Sequence, residues 1–158
     1  MYSAFWSEQE MQIAVGSSSD QFCRLFNEDE IRPPLILPRE FQFPSGERLD
    51  GMMIGGDAVP VLVECKLSSS PAWKGSLFRQ IDSYVDQLIT LPWSAIRLRA
   101  DLRSWRERYG ERKGDYEKAV FGDDLDVEEY WQRVEDHLKS GKINVAIIYD
   151  EVPKDMQE

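Results

Sequence analysis

The sequence predicts an α/β domain with a mixed central sheet, in which an antiparallel meander is flanked by helices, and a single domain spanning 1–158. Three observations predict it. Three short strand-like runs follow one another across turn-forming residues, helical patterns come before and after them, and a last apolar run, Ile143–Tyr149, has the length of a buried strand.

Each element follows from its residues. Ser18–Glu28 carries Phe22, Leu25 and Phe26 at helical spacing behind the cap candidates Ser18 and Ser19. Pro33, Pro34 and Pro38 then forbid a helix and mark a connection. Strands are expected over Arg39–Phe43, Arg48–Ile54 and Val61–Leu67, separated by Pro44-Ser45-Gly46-Glu47 and by Gly55-Gly56-Asp57. A helix over Lys74–Leu91 places Leu77, Phe78, Ile81, Val85 and Leu88 on one face, and Pro92 stops it. A helix over Leu98–Tyr109 buries Leu98, Leu102, Trp105 and Tyr109, with its arginines mainly off that stripe. The next starts at Asp126, paired with Glu129 in a capping-box pattern. It buries Val127, Tyr130, Trp131, Val134 and Leu138 and ends at Gly141.

Composition narrows the function classes. The 158 residues are 42% hydrophobic with a net charge of −10, and no apolar run approaches a membrane span. No leader pattern opens the chain and Cys23 and Cys65 read as buried free thiols, so a cytoplasmic protein is expected, with no membrane partner. With His137 as the sole histidine, read as solvated, zinc sites and histidine-dependent triads have no basis, and no glycine-rich phosphate loop is present. The charge is uneven. Arg97–Lys113 holds seven basic and three acidic residues, a balance of +4, whereas 114–158 holds five and thirteen, a balance of −8.

The chemistry concentrates in Val61–Leu67. Strand alternation puts Glu64 and Lys66 on one face of an otherwise apolar run, where either charge alone would cost several kcal/mol to bury. A hairpin can bring Asp50 beside Glu64, and two converging carboxylates repel unless a cation lies between them. Hard divalent cations such as Mg²⁺ accept such oxygen ligands, and a nearby ammonium can assist a water or a phosphate. The alternative reading is an edge-strand ion pair, which the apolar flanks disfavour.

These residues resemble the PD-(D/E)XK, restriction-endonuclease-like nuclease superfamily, whose pattern is an acid followed by E-x-K on the next strand. Asp50 takes the first position and Glu64-Cys65-Lys66 the second, fourteen positions on. The resemblance implies a restriction-endonuclease-like core and a DNA endonuclease dependent on Mg²⁺ or Mn²⁺. Asp50 and Glu64 would ligate the metal with the Cys65 backbone carbonyl, and Lys66 would assist the reaction. Gln80 matches a glutamine found in several branches. An acid of the first helix is also implied, with Asp20 the first candidate and Glu8 and Glu10 the alternatives. The stretch from Val127 to Gln157 is similar to a segment of uncharacterised bacterial members.

Arg97, Arg99, Arg103 and Arg106 are candidates for phosphate-backbone contact, with a solvated helix face as the alternative. Trp73, after the E-x-K strand, is a candidate for base stacking. Two further readings stand beside a nuclease acting alone. One is a non-catalytic assembly module that binds a basic partner, or a second copy, through its acidic C-terminal half. The other is the nuclease domain of a larger DNA-processing or defence protein. Cutting both strands would usually need two active sites, for which a homodimer is one candidate arrangement.

Overall fold

A computed structural model describes residues 7–29, 32–37, 41–67, 75–91, 94–108 and 116–150, with the side chains of all of these except Asp20, Ser94, Trp105, Arg106 and Arg108. The elements are α1 (Glu8–Ser17), α2 (Ser19–Arg24), β1 (Leu35–Ile36), β2 (Phe41–Gln42), β3 (Arg48–Leu49), β4 (Gly51–Ile54), β5 (Pro60–Lys66), α3 (Gly75–Thr90), α4 (Ser94–Arg108), α5 (Tyr116–Phe121), α6 (Val127–Ser140) and β6 (Asn144–Tyr149). The main sheet has the order β1-β4-β5-β6, and β2-β3 form a separate two-stranded sheet. β1, β4 and β5 pair antiparallel; β5 and β6 pair parallel. The fold is thus mixed α/β with a mixed central sheet flanked by helices.

Alternation along the strands divides two cores between the sheet faces. Met53, Val61, Val63, Cys65 and Ala146 pack against Met11 and Val15 of α1 and Cys23 of α2. On the other face Met52, Ile54 and Leu62 meet α3, α4 and α6 through Tyr84, Leu88, Leu98, Leu102, Tyr130 and Val134. Both cysteines are buried free thiols.

The meander is corrected in detail. The run expected over Arg39–Phe43 pairs only with β3, outside the main sheet, and the expected Arg48–Ile54 strand breaks at Asp50. The place beside β4 goes to β1, which fits between Pro34 and Pro38 in what reads as a connection. An edge strand tolerates prolines because half its backbone groups need no ladder partner. The helix expected over Ser18–Glu28 is the short α2, preceded by α1, whose cap Ser7 accepts the amide of Glu10 at 3.2 Å. α5 was not expected.

On α3 the exposed aromatic is Phe78 and the fully buried one is Tyr84. Tyr84 stacks on Phe43, with centroids 4.8 Å apart, and its hydroxyl finds partners inside, so its burial leaves no polar group unpaired. α4 buries Leu98 and Leu102 as expected, while the Trp105 side chain and Tyr109 lie outside the described residues.

α6 follows its sequence signals closely. Asp126 caps it by accepting the Glu129 amide at 3.0 Å, and Gly141 closes it in the left-handed conformation at φ 71°. Its histidine, expected to be solvated, is half-buried and held by a carbonyl. Tyr130, Arg133 and His137 form a stripe that donates to the Gly55, Asp57 and Ala58 carbonyls at 2.8, 3.1 and 2.9 Å. The turn before β5, where Ala58 takes φ 61°, is thereby held by α6. β6, expected to be buried, is an edge strand in which only Ala146 is fully covered.

The Asp126 cap is an isolated test of this architecture. Asp126→Ala is expected to lower stability by about 1 kcal/mol and Asp126→Asn to restore it, as read by denaturant unfolding.

Candidate functional site

β5 ends in Glu64, Cys65 and Lys66, and the site forms around that end. Gly51 of β4 pairs with Val63, but the chain bends at Asp50 and β3 turns away to pair with β2. The Asp50 carboxylate fills the gap: Oδ2 accepts the Cys65 amide at 2.8 Å and Oδ1 accepts the Gln12 side-chain amide of α1 at 2.8 Å. Glu8, one turn earlier on α1, reaches the Leu67 amide at 3.4 Å.

Glu64 and Lys66 share the face of β5 opposite Cys65. The Lys66 ammonium lies 3.2 Å from Glu64 Oε1, and the glutamate is about 2% exposed. Its second oxygen, Oε2, is buried with no hydrogen-bond partner. Burial first, and the Asp50 charge second, push the Glu64 carboxyl up to about 7. Burial pulls the Lys66 ammonium down, but the Glu64 carboxylate, with Glu8 and Asp50 behind it, outweighs this and raises it. Burial and the same carboxylates push the Cys65 thiol up to about 12, so the thiol is inert.

From α3, Gln80 donates to the Tyr84 hydroxyl, which donates in turn to the Arg48 carbonyl. Gln80 therefore faces the site through Tyr84, whose phenol is raised by burial and by the Glu64 charge. This chain pins β3 two residues before Asp50. Glu47 adds a second tie, accepting Ser83 and Gln87 of α3 at 2.7 and 2.9 Å.

Among the sequence candidates, Asp50, Glu64, Cys65 and Lys66 meet around one strand end, while Gln80 contacts Tyr84 on its own helix. Asp20 lies in α2 with its side chain outside the described residues, whereas Glu8, held as an alternative, reaches the end of β5. Arg97 and Arg99 each make contacts within the protein. Arg97 donates to the Gln42 carbonyl at 2.6 Å, lies 3.5 Å from Asp101 and covers the Phe41 ring. Arg99 joins Glu128 at 2.9 Å and the buried Glu117 at 3.5 Å, over the Trp131 ring. Arg103 is exposed; the Arg106 side chain and Trp73 lie outside the described residues.

Gln12 and Tyr84 are the neighbours that sequence reasoning missed. The capping pair Ser7 and Glu10 signals α1, and the four-residue spacing from Gln80 to Tyr84 signals the second contact.

Among the described residues no group of three or more His, Cys, Asp or Glu side chains converges on a metal position. Two carboxylates beside a strand end still suit a hard cation that retains waters, since Mg²⁺ is commonly held by one or two carboxylates. The orphaned Glu64 Oε2 is the oxygen such an ion would satisfy. Comparison with family models, curated proteins and solved structures yields no match.

Two outcomes follow. Because the folded Glu64 titrates near 7 against an ordinary 4.5, its contribution to stability is full below 4.5 and is lost as pH rises through 7. Relative to Glu64→Gln, the wild type should lose about 3 kcal/mol over that window, read by denaturant unfolding across pH; parallel profiles would refute this. Tyr84→Phe, which keeps the ring and removes the hydroxyl, should cost about 1–2 kcal/mol, read by denaturant unfolding.

Proposed function

We propose that this chain is a nuclease of the PD-(D/E)XK type that hydrolyses phosphodiester bonds in DNA with Mg²⁺ or Mn²⁺. The observation that carries this reading is the buried Glu64 carboxylate, with one oxygen on Lys66, the other unpartnered, and the Asp50 charge beside it. Two neighbouring carboxylates repel one another, and a cation held between them relieves that repulsion.

Asp50 and Glu64 would hold the ion, with the Cys65 carbonyl as a further oxygen. Such an ion lowers the pKa of a bound water and neutralises phosphate charge. The protein's own contribution is positional. Gln12 and the Cys65 amide fix both Asp50 oxygens, and the Tyr84 hydroxyl anchors β3. Lys66, kept charged by three carboxylates, directs an ammonium at the charge that develops on the phosphate. Glu8 takes the place of the first-helix acid in preference to Asp20, because it reaches the same strand end.

A non-catalytic assembly module is the second reading. It is favoured by the absence of a three-ligand group among the described residues and by the engagement of Arg97 and Arg99. With a net charge of −10, unaided tight binding to duplex DNA is disfavoured, which also suits a catalytic domain that is targeted by a partner.

Cleavage of plasmid and oligonucleotide DNA in Mg²⁺ or Mn²⁺ distinguishes them. Glu64→Gln and Lys66→Ala should each lower the rate by at least about a hundredfold. Mn²⁺ at a hundred times its Kd should stabilise the wild type by about 2.7 kcal/mol and leave Glu64→Gln unchanged. Equal cutting by all three proteins would exclude the nuclease.

A further inference from the structure

β5 and β6 run parallel from the Val61–Asn144 pair to the Lys66–Tyr149 pair, so both strands end together beside the candidate site. Residues paired across a ladder share a face of the sheet, which sets Ile147 beside Glu64 and Tyr149 beside Lys66. The packing agrees with this alternation. Ala146 and Ile148 join the core under α1, whereas Val145 packs into the core on the opposite face. Tyr149 therefore stands on the Glu64 and Lys66 face. Its companions there, Val145 and Ile147, are apolar, so Tyr149 is the side chain by which β6 brings a polar group to that face.

Ligands of open α/β sheets lie outside the carboxyl ends of the strands, and here two such ends meet. Adjacent strands lie about 4.8 Å apart, and lysine and tyrosine side chains have similar reach, so the Lys66 ammonium and the Tyr149 hydroxyl can meet one phosphate together. Access favours the same pair. The Glu64 side chain is 3% exposed, whereas Lys66 is 17% exposed and Tyr149 is half-buried, so these two form the outer end of the site. Burial raises the Tyr149 phenol against the opposing Lys66 charge, so it stays a neutral donor near pH 7. We propose that the Tyr149 hydroxyl donates a hydrogen bond to a non-bridging oxygen of the scissile phosphate, beside the Lys66 ammonium. The inference rests on the nuclease reading and deepens it, by adding a substrate-binding residue from a second strand. No proton is transferred: the phenol orients the phosphate and shares the charge that builds on its oxygens.

The test follows cleavage of a short DNA oligonucleotide in Mn²⁺ by wild type and Tyr149→Phe. The scissile phosphate is either natural or one of its two phosphorothioate diastereomers, in which sulfur, a weak acceptor, replaces one non-bridging oxygen. Tyr149→Phe should lower kcat/KM for the natural substrate about ten- to a hundredfold, the loss of one hydrogen bond to a charged group. Its unfolding midpoint and its Mn²⁺ thermal shift should stay those of the wild type. For one diastereomer, the slowing that sulfur causes in wild type should vanish in Tyr149→Phe, which a purely structural hydroxyl would not produce. Unchanged kcat/KM in Tyr149→Phe, equal sulfur effects in both proteins, or loss of the Mn²⁺ shift in the variant each overturns the phosphate contact and leaves the nuclease reading standing. A wild type that cleaves no DNA removes the nuclease reading and the contact with it.

Discussion

The ladder between β4 and β5 stops at the Gly51–Val63 pair, and the next inward amide of β5, that of Cys65, is taken at 2.8 Å by the Asp50 carboxylate. A side chain thus continues what a strand began. The exchange lets β3 turn away into its own hairpin while the end of β5 stays satisfied. A hydrogen bond to a charged acceptor is worth about 1.5–3 kcal/mol, more than a ladder bond between neutral groups. The same carboxylate then acts on its surroundings, raising Glu64 and Cys65 and fixing Gln12.

β5 is held at both ends by side chains from distant parts of the chain. At its start, Tyr130, Arg133 and His137 grip the carbonyls of the preceding turn. At its finish, Asp50 and Glu8 take the Cys65 and Leu67 amides. Between these ends the strand is apolar and closely packed, so Glu64 and Lys66 stand on a rigid support. Behind α4, the Arg99, Glu117 and Trp131 cluster joins α4, α5 and α6, with Trp131 donating to Glu117 at 2.7 Å. Breaking one member of that cluster would strand a buried charge, so the arginine reads as structural.

Local patterns were legible where local physics decides. The Asp126 cap and Gly141 stop of α6 depend on residues a few positions apart, and strand alternation alone set Glu64 and Lys66 on a common face. What escaped depends on partners remote in sequence. Phe78 and Tyr84 both suit a helix face, and burial fell to Tyr84 because the Arg48 carbonyl receives its hydroxyl. His137 reads as solvated until the Ala58 carbonyl is placed against it. The contacts of Arg97 and Arg99 with Gln42, Glu117 and Glu128 likewise depend on residues far along the chain. β1 was hidden by its prolines, which an edge position tolerates.

The parallel pairing of β5 with β6 bears on how the protein is made. Val61 lies opposite Asn144, so closing this pair spans about 80 residues, whereas β4 and β5 join across a short turn. Loop closure grows costlier only slowly with length, but pairing between distant segments is slow to nucleate. During synthesis the side chains of the strand-end site, from Glu8 to Tyr84, emerge well before β6. Until β6 docks, one edge of a seven-residue apolar strand stands open, a template for pairing with another chain. The protein's exposure to aggregation is therefore concentrated in the interval between completing β5 and covering its edge.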